Sequence, residues 1–275
     1  MAIITVSREM GSGGIPIAHR AAEELGYTLV DGEAIRSVAA NYGLTLDAVE
    51  NADEKPPAFV EKHDEKILVD LHLIEQIVLE YAQRGNVIIY GRGGQDLLNN
   101  IDSVLRVRIT APFEERVERW AEREWLDPDL ARVLVRKSDQ QRSGFIKYYF
   151  DRNWKDPINY DLVINTSRLS EDTAVELICA AVKDENLIEN KQQSKKRIAS
   201  LLVRKKAEIA ILSSKDLAGQ HVALECCDGV LTLGGHVHSQ KERNAVLSIV
   251  RNIAGVDAIA DKLTVVSYRN EPEEH

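Results

Sequence analysis

Hydrophobic and polar residues follow two different periods along the first 183 residues of the chain. Five short β-branched or apolar runs predict strands, namely "AIITVS", "YTLV", "VIIY", "VLRVRIT" and "YDLVIN". Between them, apolar residues recur at helical spacing in "IPIAHRAAEEL" and in residues 58–84, 110–124, 127–150 and 170–182. Because strands separated by helices pair in parallel, this pattern predicts an α/β fold with helices on both faces of a parallel sheet.

The pattern changes after residue 184. The polar stretch "KDENLIENKQQSKKR" predicts a linker or the exposed start of a helix, and "IASLLVRKKAEIAIL" is helical. Asp-Gly between "HVALECC" and "VLTLGGHV" predicts a hairpin. A helix in "SQKERNAVLSIVRNI" and one last strand in "DAIADKLTVVSY" follow, and "RNEPEEH" is predicted to be disordered. We therefore predict a large domain at residues 1–189 and a small α+β domain at 190–275.

Composition narrows the class of protein. A hydrophobic content of 44% and a charged content of 29% are typical of a globular chain with a core. The net charge of −9 argues against general nucleic-acid binding, although a local basic patch is compatible with it. The three cysteines and seven histidines show no metal-ligand spacing, and no apolar run or signal-peptide pattern indicates a membrane or secretory protein. We expect reduced thiols and a cytoplasmic protein.

A glycine cluster between the first strand and the first helix is the main chemical signal. Gly11, Gly13 and Gly14 permit backbone angles that direct successive N–H groups into a concave nest, and a helix N-terminus adds partial positive charge. This predicts a phosphate-binding loop. The lysine and the Ser/Thr that close the G-x-x-x-x-G-K-[ST] loop are missing, so a turn that binds nothing remains the alternative from the pattern alone.

Five stretches in this order together resemble the cytidylate kinase-like family, a branch of the nucleoside monophosphate kinases: "ITVSREMGSGGIPIAHRAAEELGYTLVD", "VIIYGRGG", "VLRVRITAPFEERVER", "VRKSDQQRSGFIKYYF" and "YDLVINTSRLSEDTAVELI". The resemblance covers about residues 1–183. It implies a P-loop kinase fold with an acceptor-binding segment near residues 45–85 and an arginine-bearing lid near 125–155.

The chain departs from ordinary cytidylate kinases at the loop. By the resemblance, Gly14 stands at the position of the phosphate-binding lysine, and Pro16 at that of the magnesium-binding Ser or Thr. Family members with the pattern "SREYGSGGREIA" also lack the lysine, but this chain further replaces their Arg-Glu with Ile15 and Pro16. Ser12 is a candidate for phosphate or metal contact and Arg8 for a cation that turns inward, and a surface-turn role is equally open for both.

Other charged residues can supply what the loop lacks, because phosphoryl transfer relies on positioned cations and Mg²⁺. Arg92 in "GRGG" follows a strand at the carboxyl edge of the predicted sheet, and the resemblance implies that it binds the acceptor phosphate. Asp31 ends the second strand at the same edge. It can hold the acceptor or a metal-bound water, or it can cap the next helix.

The stretch "DLARVLVRKSDQQR" places several cations on one helical face. Arg132, Arg136 and Asp139 are spaced i,i+4 and i,i+3, and Asp139 can orient one arginine while another binds phosphate. The resemblance makes Asp139 and Arg142 the D-x-x-R element of the lid. We assign Arg136, Asp139 and Arg142 to catalysis and Arg132 to the ATP site, with a salt-bridged exposed helix as the alternative.

Three further arginines, Arg116, Arg119 and Arg123, are expected on a solvated helix face. Arg106 and Arg108 share one face of a strand, and their role is open.

The C-terminal region resembles a BON domain. Asp228-Gly229, Gly235 and Gly255-Val256 stand at the turn positions of that family's pattern, and turns explain these glycines fully. The resemblance implies binding of phospholipid or another ligand. The basic stretch "KKRIASLLVRKK" fits either an anionic membrane surface or a solvated amphipathic helix.

These observations favour a nucleoside monophosphate kinase that uses ATP and Mg²⁺, with CMP or dCMP as the acceptor. The missing loop residues favour an alternative, a catalytically impaired nucleotide-binding regulatory protein whose BON domain binds lipid or another ligand. A lipid-surface adaptor built around the BON domain is a third hypothesis. The oligomeric state is left open.

Overall fold

The computed structural model describes residues 2–51, 54, 65–214, 217 and 221–266. The chain forms two compact units, Met1–Lys195 and Lys196–His275. The first part of the helical stretch expected from residue 58, part of the acceptor segment at 45–85, and the tail "RNEPEEH" lie outside the described residues. The predicted domain boundary at residue 190 stays a prediction.

Within the described residues, the large unit contains a five-stranded parallel sheet of order β2-β3-β1-β4-β5. Its strands are β1 (Ile3–Arg8), β2 (Thr28–Val30), β3 (Val87–Tyr90), β4 (Val104–Thr110) and β5 (Leu162–Asn165). The helices are α1 (Gly14–Leu25), α2 (Gly32–Ala39), α3 (Leu46–Asn51), α4 (Glu65–Arg84), α5 (Gly94–Leu97), α6 (Phe113–Glu124), α7 (Pro128–Phe150), α8 (Glu171–Ala181) and α9 (Glu185–Glu189). The predicted parallel α/β sheet with flanking helices is confirmed.

The central strand β1 explains where the core lies. Ile3 pairs with Val87 of β3 and with Val104 of β4, so β1 is covered on both edges. Ile4 and Val6 pack with buried alanines and isoleucines of α1 and α8, which cover one face of the sheet. All five strands run in the same direction, so their carboxyl ends and the loops that follow them meet at one edge of the sheet.

Capping residues set the starts of two helices that the sequence predicts. Asp127 accepts hydrogen bonds from the backbone N–H groups of Asp129 and Leu130, and Pro128 occupies the first helical position of α7. Ser170 accepts from the N–H of Thr173 at the start of α8. These side chains satisfy N–H groups that have no acceptor within the helix.

The small unit contains a second sheet, which the hairpin at Asp228-Gly229 begins. Asp228 and Gly229 both have positive φ, 46° and 79°, as a tight two-residue turn requires. The elements are α10 (Lys191–Leu212), β6 (His221–Cys227), β7 (Val230–Val237), α11 (Gln240–Arg251), β8 (Ala258–Asp261) and β9 (Thr264–Val265). The polar stretch predicted as a linker or helix start forms α9 and the beginning of α10.

The prediction of a single last strand for the small unit is wrong, because the structure has two strands there. Two short strands, β8 and β9, pair with successive parts of β7. Between them, the Asp261 carboxylate accepts from the backbone N–H of Leu263 at 3.0 Å and from Arg243 at 2.9 Å. The backbone N–H of Lys262 still donates to the carbonyl oxygen of Leu233 in β7 at 2.8 Å, so the chain stays beside β7 between the two strands.

No helix within the described ranges has both the length and the apolar character needed to cross a membrane. Cys179, Cys226 and Cys227 are free thiols.

Candidate functional site

The glycine loop joins the end of β1 to α1 at the carboxyl edge of the sheet. Gly11 and Gly13 both have a φ of 80°, which glycine adopts without strain. A Cβ on Gly11 would stand 2.4 Å from the carbonyl oxygen of Arg116. The first turn of α1, which begins at Gly14, has backbone N–H groups without intrahelical acceptors. The loop therefore has the backbone form of an anion-binding nest.

Ser12 closes this loop from the inside. Its hydroxyl donates to the carbonyl oxygen of Glu9 at 2.7 Å and lies 3.2 Å from that of Ile109, and the residue is fully buried. Thr166 donates to the Ser12 carbonyl oxygen at 2.9 Å. The hydroxyl thus shapes the loop, and the arrangement gives it no contact with the cavity beside the loop.

Gly14 makes room for Arg8. A Cβ on Gly14 would stand 2.8 Å from Cβ and 3.0 Å from Cγ of Arg8, distances that real side chains do not show. The Arg8 guanidinium lies over the Tyr90 ring, 4.1 Å from its centroid. Arg8 therefore turns inward across the start of α1, beside the position that the resemblance assigns to lysine.

Glu54 joins Arg8 to two other cationic residues. Arg8 Nη1 donates to the Glu54 carboxylate at 3.0 and 2.7 Å, and Arg142 Nε donates to Glu54 Oε2 at 3.1 Å. The backbone N–H of Arg92 donates to Glu54 Oε1 at 2.6 Å. A Cβ on Gly91 would stand 2.3 Å from Glu54 Oε1, so a glycine is needed beside this cluster.

The electrostatics of the cluster follow from burial and opposite charge. Burial raises the pKa of the Glu54 carboxyl, but Arg8, Arg142 and Arg92 outweigh it and lower the pKa to about 2. Burial lowers the pKa of Arg8, yet attraction to Glu54 leaves it above its ordinary value. Burial and repulsion from Arg8 lower the pKa of Arg142. Glu54 is therefore a carboxylate at neutral pH, held by charge-assisted hydrogen bonds.

Two cavities meet at Arg8 and Tyr90. The first, the loop cavity, has a volume of about 490 Å³ and is lined by the glycine loop, α6 residues and Arg142. The second, the Asp31 cavity, has a volume of about 230 Å³ and is lined by Asp31, Arg92 and neighbouring residues of α1 and α2. Arg8, Ile15 and Tyr90 line both. A group at this junction is accessible from either cavity.

Asp31 and Arg92 lie in the Asp31 cavity, as the sequence predicts for residues at this edge. Asp31 Oδ1 accepts from the backbone N–H groups of Glu33 and Ala34, so it caps α2. Its other oxygen lies 4.0 Å from His19 Nε2 and belongs to the cavity lining. The capping alternative for Asp31 is therefore present in the structure, and its role toward an acceptor stays a prediction. Arg92 is 7% exposed and has a φ of 58°, which is unusual for a residue with a side chain.

Asp139 ties α7 to the glycine loop. Its carboxylate accepts from the backbone N–H of Met10 at 3.1 Å and from Arg116 Nη1 at 2.8 Å. Arg116 also donates to the carbonyl oxygens of Ala111 and Met10, both at 2.9 Å. Asp139 therefore contacts an arginine, as expected, but this arginine is Arg116 of α6. The contacts of Asp139 join α7 to the glycine loop.

The three arginines of α7 lie in different surroundings. Arg142 lines the loop cavity. Arg136 lies over the Phe113 ring, 5.4 Å from its centroid, in a separate cavity with Asp139 and Lys155. Arg132 is paired with Glu114 at 2.6 Å and Asp129 at 3.0 Å, outside the loop cavity. The alternative of a salt-bridged exposed face therefore describes Arg132.

The expectation of a solvated face for the arginines of α6 is wrong for Arg116. It is 5% exposed and also lies 3.4 Å from Glu9. Arg116 lies on the apolar face of α6, because it is spaced at helical intervals from Phe113 and Trp120. This spacing is the sequence signal for its burial, and sequence reasoning missed it. Arg119 and Arg123 are more exposed and line the loop cavity, and Arg119 donates to Thr166.

The two strand arginines have different roles. Arg108 is buried, donates to Glu9 at 3.0 Å and lies over the Trp154 ring at 4.3 Å. Together with Arg116, it holds the Glu9 carboxylate under the loop. Arg106 pairs with Asp161 at 3.5 Å, at an exposed end of β4. Trp154 itself is buried in a cluster with Leu71, Phe145 and Ile146.

Sequence reasoning missed Glu54 and Tyr90. Tyr90 stands directly before "GRGG", but its pattern predicts only a strand residue, and no periodicity marks Glu54 in "NADEKPP". Within the described residues, no group of three or more His, Cys, Asp or Glu side chains can hold a metal ion. A Cβ on Gly13 would stand 3.0 Å from Glu171 Oε1, so the Glu171 carboxylate lies beside the glycine loop.

A parallel sheet of this order, with a glycine loop leading from its central strand into a helix, defines the class of P-loop kinase folds. The family model described as the cytidylate kinase-like family matches residues 3–168, and the chain belongs to this family. A BON domain model matches residues 202–267.

Individual relatives agree with this family. Cytidylate kinase of Methanopyrus kandleri is 32% identical over 192 residues, which cover 66% of this chain and 92% of that protein. Cytidylate kinase of Ignicoccus hospitalis is 32% identical over 182 residues, covering 65% and 97%. A crystal structure of an uncharacterized protein from Eubacterium ventriosum is 22% identical, covers 67% of this chain and 100% of that one, and has a TM-score of 0.54. This last likeness concerns the fold alone.

Proposed function

We propose that the protein is a nucleoside monophosphate kinase that transfers a phosphoryl group from ATP·Mg²⁺ to CMP or dCMP. The observation that carries the proposal is the pair of cavities that share Arg8, Ile15 and Tyr90. The loop cavity takes the ATP phosphates and the Asp31 cavity takes the acceptor, so the two substrates approach each other at Arg8. The relatives named cytidylate kinase support the choice of acceptor.

Each group has a role in this proposal. Backbone N–H groups of Gly11, Gly13 and Gly14 bind the ATP phosphates, and Arg92 binds the acceptor phosphate. Arg142 stabilises charge on the transferred group, since cations placed along the phosphoryl path supply most of the catalysis. A Mg²⁺ ion bound with ATP would neutralise charge on the phosphates, and a carboxylate at the loop would hold it. Glu171 is our candidate for that carboxylate, because Pro16 offers no hydroxyl.

A coupled assay of ADP release over a panel of nucleoside monophosphates tests the proposal. Arg92→Asn tolerates the positive φ and keeps the backbone N–H, and it removes the guanidinium together with most of the aliphatic stem. We expect it to raise the KM for the acceptor by about tenfold to a hundredfold. Arg20→Ala removes an exposed arginine outside both cavities and is the matched control. The absence of turnover with every acceptor, from folded protein with Mg²⁺, would contradict the kinase function.

One observation favours a second candidate, a protein that binds nucleotide without transferring phosphate. The Ser12 hydroxyl is buried against backbone carbonyls, and no Ser or Thr side chain of the described residues lines the loop cavity. Calorimetric binding of ATP in the absence of any turnover would establish this alternative. A measurable turnover number would eliminate it.

For the small unit, we propose a regulatory or localising role in a cytoplasmic protein, through phospholipid or another ligand. Three successive cationic residues of α10, Lys195, Lys196 and Arg197, are exposed, which suits an anionic surface. Lys205 is instead buried and pairs with Glu208 at 2.6 Å. Co-sedimentation of the full chain with anionic vesicles tests this role, and the absence of pelleting would contradict lipid binding.

A further inference from the structure

The Glu54 carboxylate is bound as a phosphate would be bound. Its two oxygens accept from Arg8, from Arg142 and from the backbone N–H of Arg92 within 2.6 to 3.1 Å. Guanidinium groups and backbone N–H groups are also the donors that bind phosphate oxygens most effectively. Glu54 therefore occupies an anion site composed of groups from β1, from the turn after β3 and from α7.

The position of this anion site is the second observation. Arg8 lines both cavities, Arg142 lines the loop cavity and Arg92 lines the Asp31 cavity. A phosphate passing from one cavity to the other comes within reach of Arg8, because this residue stands at their junction. The donors of Arg8, Arg142 and the Arg92 backbone cannot bind the Glu54 carboxylate and a phosphate at the same time.

The charge balance at the site favours a second occupant. Among the described residues, the cationic side chains of Arg8, Arg142 and Arg92 all act on the Glu54 carboxylate. A phosphate dianion in place of the carboxylate balances more of this charge. Displacing Glu54 still has a cost, because its bidentate contact with Arg8 must be broken.

We propose that Glu54 and the transferred phosphate are alternative occupants of one anion site formed by Arg8, Arg142 and the backbone N–H of Arg92. Arg8 then takes the role of the missing loop lysine. Because an anion must displace the Glu54 carboxylate before it can bind, Glu54 lowers the affinity of the site for anions. This inference rests on the proposed function for the identity of the phosphate. The competition itself depends only on the contacts.

The experiment measures tripolyphosphate binding to the full chain by calorimetry, in a buffer free of phosphate and sulfate. Glu54→Gln keeps the shape of the side chain and removes its charge, so the affinity is expected to rise by about tenfold or more. Glu54→Asp, whose carboxylate is one methylene further from the arginines, is expected to give an intermediate affinity. Unchanged or weaker binding to both variants would overturn the proposal.

Two controls separate competition from a general change of charge. Asp96→Asn removes another buried carboxylate that pairs with an arginine, Arg152 at 3.2 Å, outside both cavities. It is expected to leave tripolyphosphate binding within about twofold of wild type. In an Arg8→Met background, Glu54→Gln is expected to lose most of its effect. An equal gain in affinity with and without Arg8 would contradict competition for this residue.

The outcomes also distinguish this inference from the proposed function. Tripolyphosphate binding needs neither an acceptor nor turnover. A protein without kinase activity whose Glu54→Gln variant binds tripolyphosphate more tightly would overturn the proposed function alone. An active kinase in which Glu54→Gln and Glu54→Asp leave tripolyphosphate affinity unchanged would overturn this inference alone.

Discussion

Gly14 and Arg8 share one small volume at the start of α1. A Cβ at position 14 would stand 2.8 Å from Arg8 Cβ, so any side chain at this position requires β1 or the start of α1 to shift. We therefore expect Gly14→Lys to disturb the loop and not to recreate an ordinary one.

Gly91 provides a test of the Glu54 cluster with a closely matched control. Gly91 and Gly43 have φ values of 74° and 73°, so alanine is strained equally at both. A Cβ on Gly91 also meets Glu54 and Arg8 within 2.4 Å, whereas nothing lies within 4 Å of one on Gly43. We expect Gly91→Ala to lower the free energy of unfolding by about 1 to 3 kcal/mol more than Gly43→Ala in urea denaturation. Equal losses would show that the cluster yields without cost.

The pH dependence of the free energy of unfolding should reveal the lowered pKa of Glu54. Its pKa lies at about 2 in the folded protein, below the ordinary value of 4.5, so its contribution is present above pH 4.5 and is lost as the pH falls toward 2. The full contribution is on the order of 3 kcal/mol. Urea unfolding of wild type and Glu54→Gln should therefore converge as the pH is lowered from about 6 to about 3. Parallel curves over this range would contradict the assigned pKa shift.

At the scale of elements, α7 connects the parts of the site. Through Asp139 it contacts the backbone of Met10 in the glycine loop and Arg116 of α6, and through Arg142 it contacts Glu54. A helix held at these points positions its cations relative to the loop. Asp139 and Arg116 therefore act through the geometry of the loop.

The N-cap of α7 is a prediction at this scale. Asp127→Ala removes the acceptor for the backbone N–H of Asp129 at 2.9 Å and should lower the free energy of unfolding by about 1 kcal/mol. Asp129→Ala breaks only an exposed ion pair with Arg132 and should cost less than about 0.5 kcal/mol. Both can be measured by urea denaturation followed by circular dichroism. A larger loss for Asp129→Ala would contradict the capping assignment.

At the scale of the whole molecule, a net charge of −9 coexists with arginines placed at the two cavities. Arg8, Arg92, Arg119, Arg123 and Arg142 line one or both cavities, next to carboxylates that include Glu9, Asp31 and Glu171. Local charge can attract phosphorylated ligands although the protein as a whole is acidic. The net charge is therefore a poor guide to the ligands of this protein.

The two compact units lead to a calorimetric prediction. Each has its own buried core, so thermal unfolding of the full chain should show two transitions. ATP with Mg²⁺ should raise the midpoint of only one of them, since ligand binding stabilises the unit that it contacts. Differential scanning calorimetry measures both. A single transition that moves as one with ligand would contradict independent units.

Much of the fold follows from the sequence because its signals are local. Periodicity marks β1, α1, α7 and α8, and capping residues mark where α7 and α8 begin. The last strand of the small unit was predicted less well. Lys262 and Leu263 separate β8 from β9, and beside them Asp261 contacts Arg243, 18 residues earlier in the chain. Periodicity within a short window does not report such a contact.

The sequence by itself determined the order of the five parallel strands and of the longer helices between them, the glycine loop, and the placement of Asp31 and Arg92 at one edge of the sheet. Only the tertiary structure showed that Glu54 meets Arg8, Arg92 and Arg142, which are 46, 38 and 88 positions away along the chain. It also decided that Arg116 is buried, that Arg132 is not at the site, and that Gly14 accommodates Arg8. The physical reason is that helices, turns and caps depend on residues a few positions apart. A buried charge cluster depends on which loops the completed sheet brings together.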